Sequence, residues 1–180
     1  MNLPNICQKT MENRVQYLSL IGYMGRIDGQ LDAEEIALLE KMVKRLEVST
    51  EYHEKVFSQQ SYSEEQIEAV FKELKQNDLQ YSFFLDLITM AIADGIILEP
   101  ERMMLAQIAG LIGLPHEEFH NLINFIQATS SLDEHNHNDP MYQYVIDMFF
   151  QWARQKNVTL FKQTFFAINE NVDAALKKNL

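Results

Sequence analysis

The sequence predicts an all-α protein: a helical bundle with an internal pseudo-twofold repeat, followed by a C-terminal helical pair. Three observations predict it. Apolar residues recur at helical spacing through most of the chain, and period-two alternation is nearly missing. Six glycines and four prolines in 180 residues leave few interruptions. One pattern, an Asp-Gly turn between an apolar helix and an acidic helix start, occurs at Asp28-Gly29 and again at Asp94-Gly95.

In chain order, the first helix is expected over 6–26, with Val15, Leu18 and Gly22 on one face. Gly22 and Gly25 are poor helix formers that let a neighbouring backbone come close. A second helix is expected over 33–47, its stripe drawn through Ile36, Leu39, Val43 and Leu46. A short helix over 50–58 follows Ser49, a good N-cap residue. Ser63 and Gln66 make a capping box, and Ile67, Val70, Phe71 and Leu74 carry the helix behind it to Gln76. Asn77-Asp78 breaks that helix. The next, over 79–93, is the most apolar and should be the central core helix: Phe83, Phe84, Leu87, Ile88, Ala91 and Ile92. A helix from Glu99 to Ile112 carries Pro100 in its first turn, where proline is tolerated, and Gly113 ends it. Pro115 opens a helix that buries Phe119, Leu122, Ile123 and Ile126.

Residues 129–139 read as a linker of Ser, Asp, Asn and His without periodicity. This divides the chain into a helical domain over 1–128, the linker, and a helical pair over 140–180 that packs on the domain. In the pair, Tyr142, Val145, Ile146, Phe149, Trp152 and Ala153 form one amphipathic face, and Phe161, Phe165, Ile168 and Val172 another. Lys177 and Lys178 close the last helix, where cations suit the dipole. Tyr142, Tyr144, Phe149, Phe150, Trp152, Phe161, Phe165 and Phe166 are more aromatics than a solvent-facing pair needs. Those not packed on the body predict a protein partner or a homodimer surface.

Residues 17–57 and 83–123 repeat the same order of elements. Met24/Met90, Asp28/Asp94, Gly29/Gly95, Glu35/Glu101, Leu39/Leu105 and Glu51/Glu117 coincide at a common spacing of 66 positions, as 28 to 94 shows. Such a duplication commonly packs with pseudo-twofold symmetry, so the two acidic turns are expected near one another.

Bulk properties narrow the function. The length suits one domain with a small appendage and allows a sizeable core. Hydrophobic residues make up 47% and aromatics 11%, which excludes a disordered chain. The formal net charge of −11 argues against nucleic-acid binding by phosphate neutralisation. An acidic body suits a cation or a basic partner, and it also serves plain solubility. Cys7 is the single cysteine, so an intrachain disulfide and a Cys-based zinc cage are excluded, which fits a reducing compartment. The first residues lack the basic start and apolar core of a signal peptide, and no apolar run is long enough to span a bilayer. The expected location is the cytoplasm. There is no P-loop and no Gly-rich dinucleotide turn. Cys7 has only Lys9 as a basic neighbour in sequence, which does not favour a nucleophile.

The run Ala-Asp-Gly-Ile-Ile-x-x-x-Glu-x-x-x-Leu-x-x-Ile-x-x-x-Ile-Gly-Leu, from Ala93 to Leu114, resembles the TerB-like family. This is the all-helical domain of tellurite-resistance proteins, also found in a membrane-anchored DnaJ-type co-chaperone. The resemblance covers roughly 10–127, is more specific in the second repeat than in the first, and does not reach 140–180. It implies a non-enzymatic binding or scaffold module in a stress-response or envelope-associated assembly, with peripheral association to a membrane complex as one setting. It also implies a metal-binding surface built from the two acidic turns. By position that role falls on Asp28, Asp32 and Glu35, and on Asp94 and Glu101. Leu98 stands where a polar or acidic residue is usual, so the second half-site has one ligand fewer.

The residues admit two readings of these turns. Hard cations such as Ca2+ and Mg2+ want several carboxylate oxygens, and Asp28, Asp32 and Glu35 at i, i+4 and i+7 converge if the turn folds back. The glycine directly after the first Asp, without alternating oxygens, excludes an EF-hand. Without any metal, Asp32-x-x-Glu35 is a capping box, Glu99 and Glu101 suit a helix N-terminus, and Gly29 and Gly95 permit positive φ. Asp-Gly and Glu recur whereas the capping residue does not, which keeps the cation reading alive.

A rival motif is His116-Glu117-Glu118-Phe119-His120, a match to His-Glu-x-x-His. On a helix His116 and His120 share a face and could hold zinc, with Glu117 as general base and Glu134, His135, His137 or Asp139 as a third ligand. Against a zinc metallopeptidase stand the position in a first helical turn, the lack of an expected strand to hold substrate, and the recurrence of Glu117 as Glu51 in a copy without the histidines. His135-Asn136-His137 reads as a solvated linker or as a transition-metal catch. A metal-independent interaction domain is the third reading.

Overall fold

The computed structural model describes residues 6–93 and 97–130, with side chains to 125, and residues 144, 147, 148, 151, 152 and 154–156. Asp94, Gly95 and Ile96, most of the expected linker and the expected last helix lie outside the described residues. The described part is all-α. Two short 3-10 turns, Ile6–Gln8 and Thr50–Tyr52, accompany seven helices: α1 Met11–Met24, α2 Ala33–Arg45, α3 His53–Phe57, α4 Glu64–Gln76, α5 Gln80–Ala91, α6 Glu99–Ile112 and α7 His116–Ser130. Residues 144, 147, 148, 151, 152, 154 and 155 are helical as well. No strand occurs among the described residues, and no helix among them is long and apolar enough to cross a membrane.

Local chemistry sets the helix ends. Thr10 caps α1 by accepting the Asn13 N–H, which moves the start of that helix past the expected residue 6; Ile6–Gln8 is a separate 3-10 turn. Ser63 and Gln66 form the expected reciprocal box at α4: Oγ of Ser63 accepts from Gln66 N at 3.3 Å, and Oε1 of Gln66 accepts from Ser63 N at 2.8 Å. Asp78 takes φ 55° after α4, and Leu79 N bonds back to Leu74 O at 2.8 Å, which turns the chain into α5. Gly113 at φ 77° ends α6, with Leu114 N bonding to Ala109 O at 2.8 Å. α7 runs to Ser130, taking in the first two residues of the expected linker.

α5 is the centre of the molecule. It touches α1, α2, α4, α6 and α7, and every residue of its expected apolar set, Phe83, Phe84, Leu87, Ile88, Ala91 and Ile92, is buried. Phe83 packs edge-on against both Tyr17 of α1 and Phe71 of α4, with ring centroids 5.1 and 5.6 Å apart. Tyr17 is fully buried, and its hydroxyl donates to Asp86 at 2.7 Å. Burial and the Asp86 carboxylate hold that phenol well above its ordinary pKa, so it stays a neutral donor. α7 is tied down at Phe119, Leu122, Ile123 and Phe125, all buried. Trp152 donates to Glu118 at 2.7 Å, Lys156 pairs with the same carboxylate at 3.2 Å, and Trp152 stacks edge-on against Tyr81. Tyr144 and Met148 on the same segment are exposed.

One helix differs from its expected face. Ile36 is exposed; α2 buries Leu38, Leu39, Met42 and Val43 instead, with Leu46 just beyond. Successive residues turn by about 100° on a helix, which puts Ile36 just past the edge of the arc that these side chains share. Glu35 falls near the middle of that arc.

Gly22 makes the close approach expected of it. A Cβ there would stand 3.1 Å from Leu39 Cδ2 and 3.3 Å from the Val56 carbonyl oxygen of α3. Gly22→Val forces α1 away from α3 and is expected to cost about 1–3 kcal/mol, read as a lower midpoint in urea with an unchanged slope.

Candidate functional site: two buried glutamates at helix starts

The starts of α2 and α6 carry the site. Asp32 caps α2, with Oδ1 accepting from Glu35 N at 2.7 Å, while Glu35 Oε2 accepts from Asp32 N at 2.9 Å. At α6 the return half of this device is present alone. Glu101 Oε2 accepts from Leu98 N at 2.7 Å, and Leu98 has no side-chain acceptor to answer with. The box in each case uses one carboxylate oxygen.

Both glutamates are buried, Glu35 at 7% exposure and Glu101 at 5%. Glutamate is rarely that deep unless something compensates it. Burial pushes the Glu35 carboxyl up to about 7 from an ordinary 4.5; the Asp32 N–H opposes this, and the charges of Asp32, Asp28 and Glu101 add to the rise. Three of the five residues expected from the sequence thus act on the carboxyl of a fourth, and Glu101 does so from the other acidic turn. Asp28 itself is exposed and Asp32 half-buried. The fifth residue, Asp94, lies outside the described residues.

A cation stands behind this cluster. Arg26, half-buried, donates to the carbonyls of Gly22 and, at 2.9 Å, Phe57. Burial lowers its pKa while the Glu35 charge raises it, so the two side chains feel one another electrostatically. Gly29 sits at φ 144°, in the region open to glycine, and lets the chain leave α1 and turn back toward α2. Two large apolar side chains, Ile27 at 49% exposure and Leu98 at 44%, lie on the segments that carry the acidic residues.

The donor set is all carboxylate, which suits a hard divalent ion. Among the described residues no group of three or more His, Cys, Asp and Glu side chains has a metal-holding geometry. Glu35 and Glu101 each accept a backbone N–H at a helix start.

His116 and His120 lie on α7 with their Nε2 atoms 3.1 Å apart, both exposed along with Glu117. His135 and His137 lie outside the described residues. The Cys7 thiol is pushed up by burial, with Arg14 and Arg45 opposing, so it is held as a thiol rather than a nucleophile.

Two features escaped sequence reasoning. The Tyr17–Asp86 bond joins α1 to α5 across 69 positions and has no local signature. The burial of the glutamates does have one. Glu35, Leu39, Met42 and Leu46 share a spacing with Glu101, Leu105, Ile108 and Ile112: each glutamate heads an apolar stripe.

A model of the family described as tellurite resistance protein TerB matches residues 14–124, which takes in both glutamates and all seven helix starts but that of α1. No curated protein and no solved structure matches the chain.

Proposed function

Since the chain belongs to the tellurite resistance protein TerB family, we propose that it is a non-enzymatic binding and scaffold module whose two acidic turns form one divalent-cation-responsive surface. Ca2+ or Mg2+ is the proposed ion, and Asp28, Asp32, Glu35, Asp94 and Glu101 are its proposed ligands. The observation that carries this reading is the burial of one glutamate from each turn, with the Glu101 charge adding to the rise of the Glu35 carboxyl. A buried carboxylate among like charges is relieved by a proton or by a cation. The 66-residue spacing supports a pseudo-twofold relation between the turns. Family membership supports the non-enzymatic assignment, because the family is generally non-enzymatic.

The exposed Ile27 and Leu98 support a protein partner or a second copy docking over the turns. Neutralising the carboxylates beneath them would change what this surface recognises. The setting we propose is a cytoplasmic stress-response assembly, associated peripherally with a membrane complex. In it residues 1–128 act as the binding domain, 129–139 as a linker and 140–180 as a helical pair packed on the domain. Trp152, held by Glu118 and Tyr81, supports that packing.

The test is a melting-temperature titration at pH 8 with Ca2+, Mg2+ and Mn2+ on the full chain and on Asp28→Asn/Asp94→Asn. An ion that binds the native state alone contributes about 2.7 kcal/mol at a hundredfold excess over its Kd. For a chain of this size that is a rise of about 5–10 °C. The wild type should show it and the double variant should not. A flat response of the wild type to all three ions would leave the metal-independent interaction domain as the reading.

A further inference from the structure

We propose that His116 and His120 form a two-point chelating site for a borderline transition-metal cation, Cu2+ foremost, on the exposed face of α7. The two residues are one helical turn apart, and their Nε2 atoms face each other at 3.1 Å. Two nitrogens at that separation, each about 2.0–2.1 Å from one ion, subtend about 100° at it. That value lies between the ~90° of a tetragonal site and the ~109° of a tetrahedral one. The rings are already brought together, with centroids 4.3 Å apart, so chelation requires little rearrangement.

The supporting structure is stiff where it needs to be. Phe119, Leu122 and Ile123 anchor α7 in the core, and the Phe119 ring lies 5.3 Å from the His120 ring, limiting its rotamers. Glu118 is turned away to Trp152 and Lys156. At present the imidazole nitrogens face one another as an N–H···N pair. When the ion binds both Nε2 atoms, the ring that carried its proton on Nε2 carries it on Nδ1 instead, exchanged through solvent, so both rings ligate as neutral imidazoles and no net proton is released. The remaining positions are filled by water.

The chemistry separates this site from the acidic turns. Imidazole suits Cu, Ni and Zn, whereas carboxylates suit Ca and Mg. The chelate also requires nothing of Glu117 and no peptide substrate.

The experiment is calorimetric titration of the full chain with Cu2+, Ni2+ and Zn2+ in the presence of excess Ca2+, with electron paramagnetic resonance of the Cu2+ complex. The tightest Cu2+ site should show two imidazole nitrogens, and Ni2+ and Zn2+ should bind there more weakly. His116→Gln and His120→Gln should each weaken it at least tenfold. Both side chains are exposed, so the metal-free melting temperature should stay where it was. His135→Gln/His137→Gln should leave the site intact. Undiminished Cu2+ affinity in both α7 variants, or a loss confined to the His135/His137 variant, would overturn the proposal. So would a resonance signal with no imidazole nitrogen.

Discussion

Phe83→Ala should destabilise the protein by about 3–5 kcal/mol, the largest effect expected of any single substitution considered. Phe83 is fully buried in the first turn of α5. Its ring fills the space between Tyr17 of α1 and Phe71 of α4, edge-on to both. Truncation removes the ring's burial and leaves a cavity lined by two aromatic rings that are themselves fixed by packing, and Tyr17 also by its bond to Asp86. Neither can move in to fill it, so the site collapses poorly and the cost falls at the upper end. Chemical denaturation should report a lower midpoint with little change in slope. An effect below about 1.5 kcal/mol would mean that α5 is not the organising helix.

Glu35→Gln is expected to act in the opposite direction, raising stability by roughly 2–3 kcal/mol at pH 8. The native carboxyl titrates at about 7 against an ordinary 4.5. A group whose pKa is raised by folding contributes fully below its unfolded value. Its contribution is lost as the pH climbs toward the folded one. Wild-type stability should therefore decline between about pH 4.5 and 7 on this account, and the Gln variant should lack that decline. At pH 4 the two proteins should be nearly equal. Gln is the right probe because it keeps the capping box, as Gln66 does at α4. Glu35→Ala would lose the box and the charge together and could not separate them. A bound cation relieves the same repulsion, so the advantage of Gln at pH 8 should shrink when Ca2+ or Mg2+ occupies the site.

The readable parts of the chain were those governed by neighbours in sequence. Ser63 with Gln66, Asp32 with Glu35, and Gly113 each act within a few residues, and the helices begin and end where they say. The buried set of α5 was equally plain, because a helix apolar nearly all round has nowhere else to go. Ile36 was misplaced because a stripe at i, i+3 and i+7 fits two adjacent faces of α2. Only the positions of α1 and α5 decide between them. The acidic residues were found through their spacing, yet their depth was not. By its spacing Glu35 is a cap or ligand at a helix start; in the fold it also occupies a core-facing position at the head of an apolar stripe. Tyr17–Asp86 was beyond reach, since a tyrosine and an aspartate 69 positions apart announce nothing until two helices pack.

If the two acidic turns, from two parts of the chain, act as one site, their glutamates are energetically coupled. A double-mutant cycle on Glu35→Gln and Glu101→Gln at pH 8 without divalent ions measures that coupling. Each single change removes the same mutual repulsion, so the double variant should gain less than the two singles combined, by about 0.5–3 kcal/mol. Stabilities that add within about 0.3–0.5 kcal/mol would mean that the glutamates are independent helix caps, and would contradict a single site.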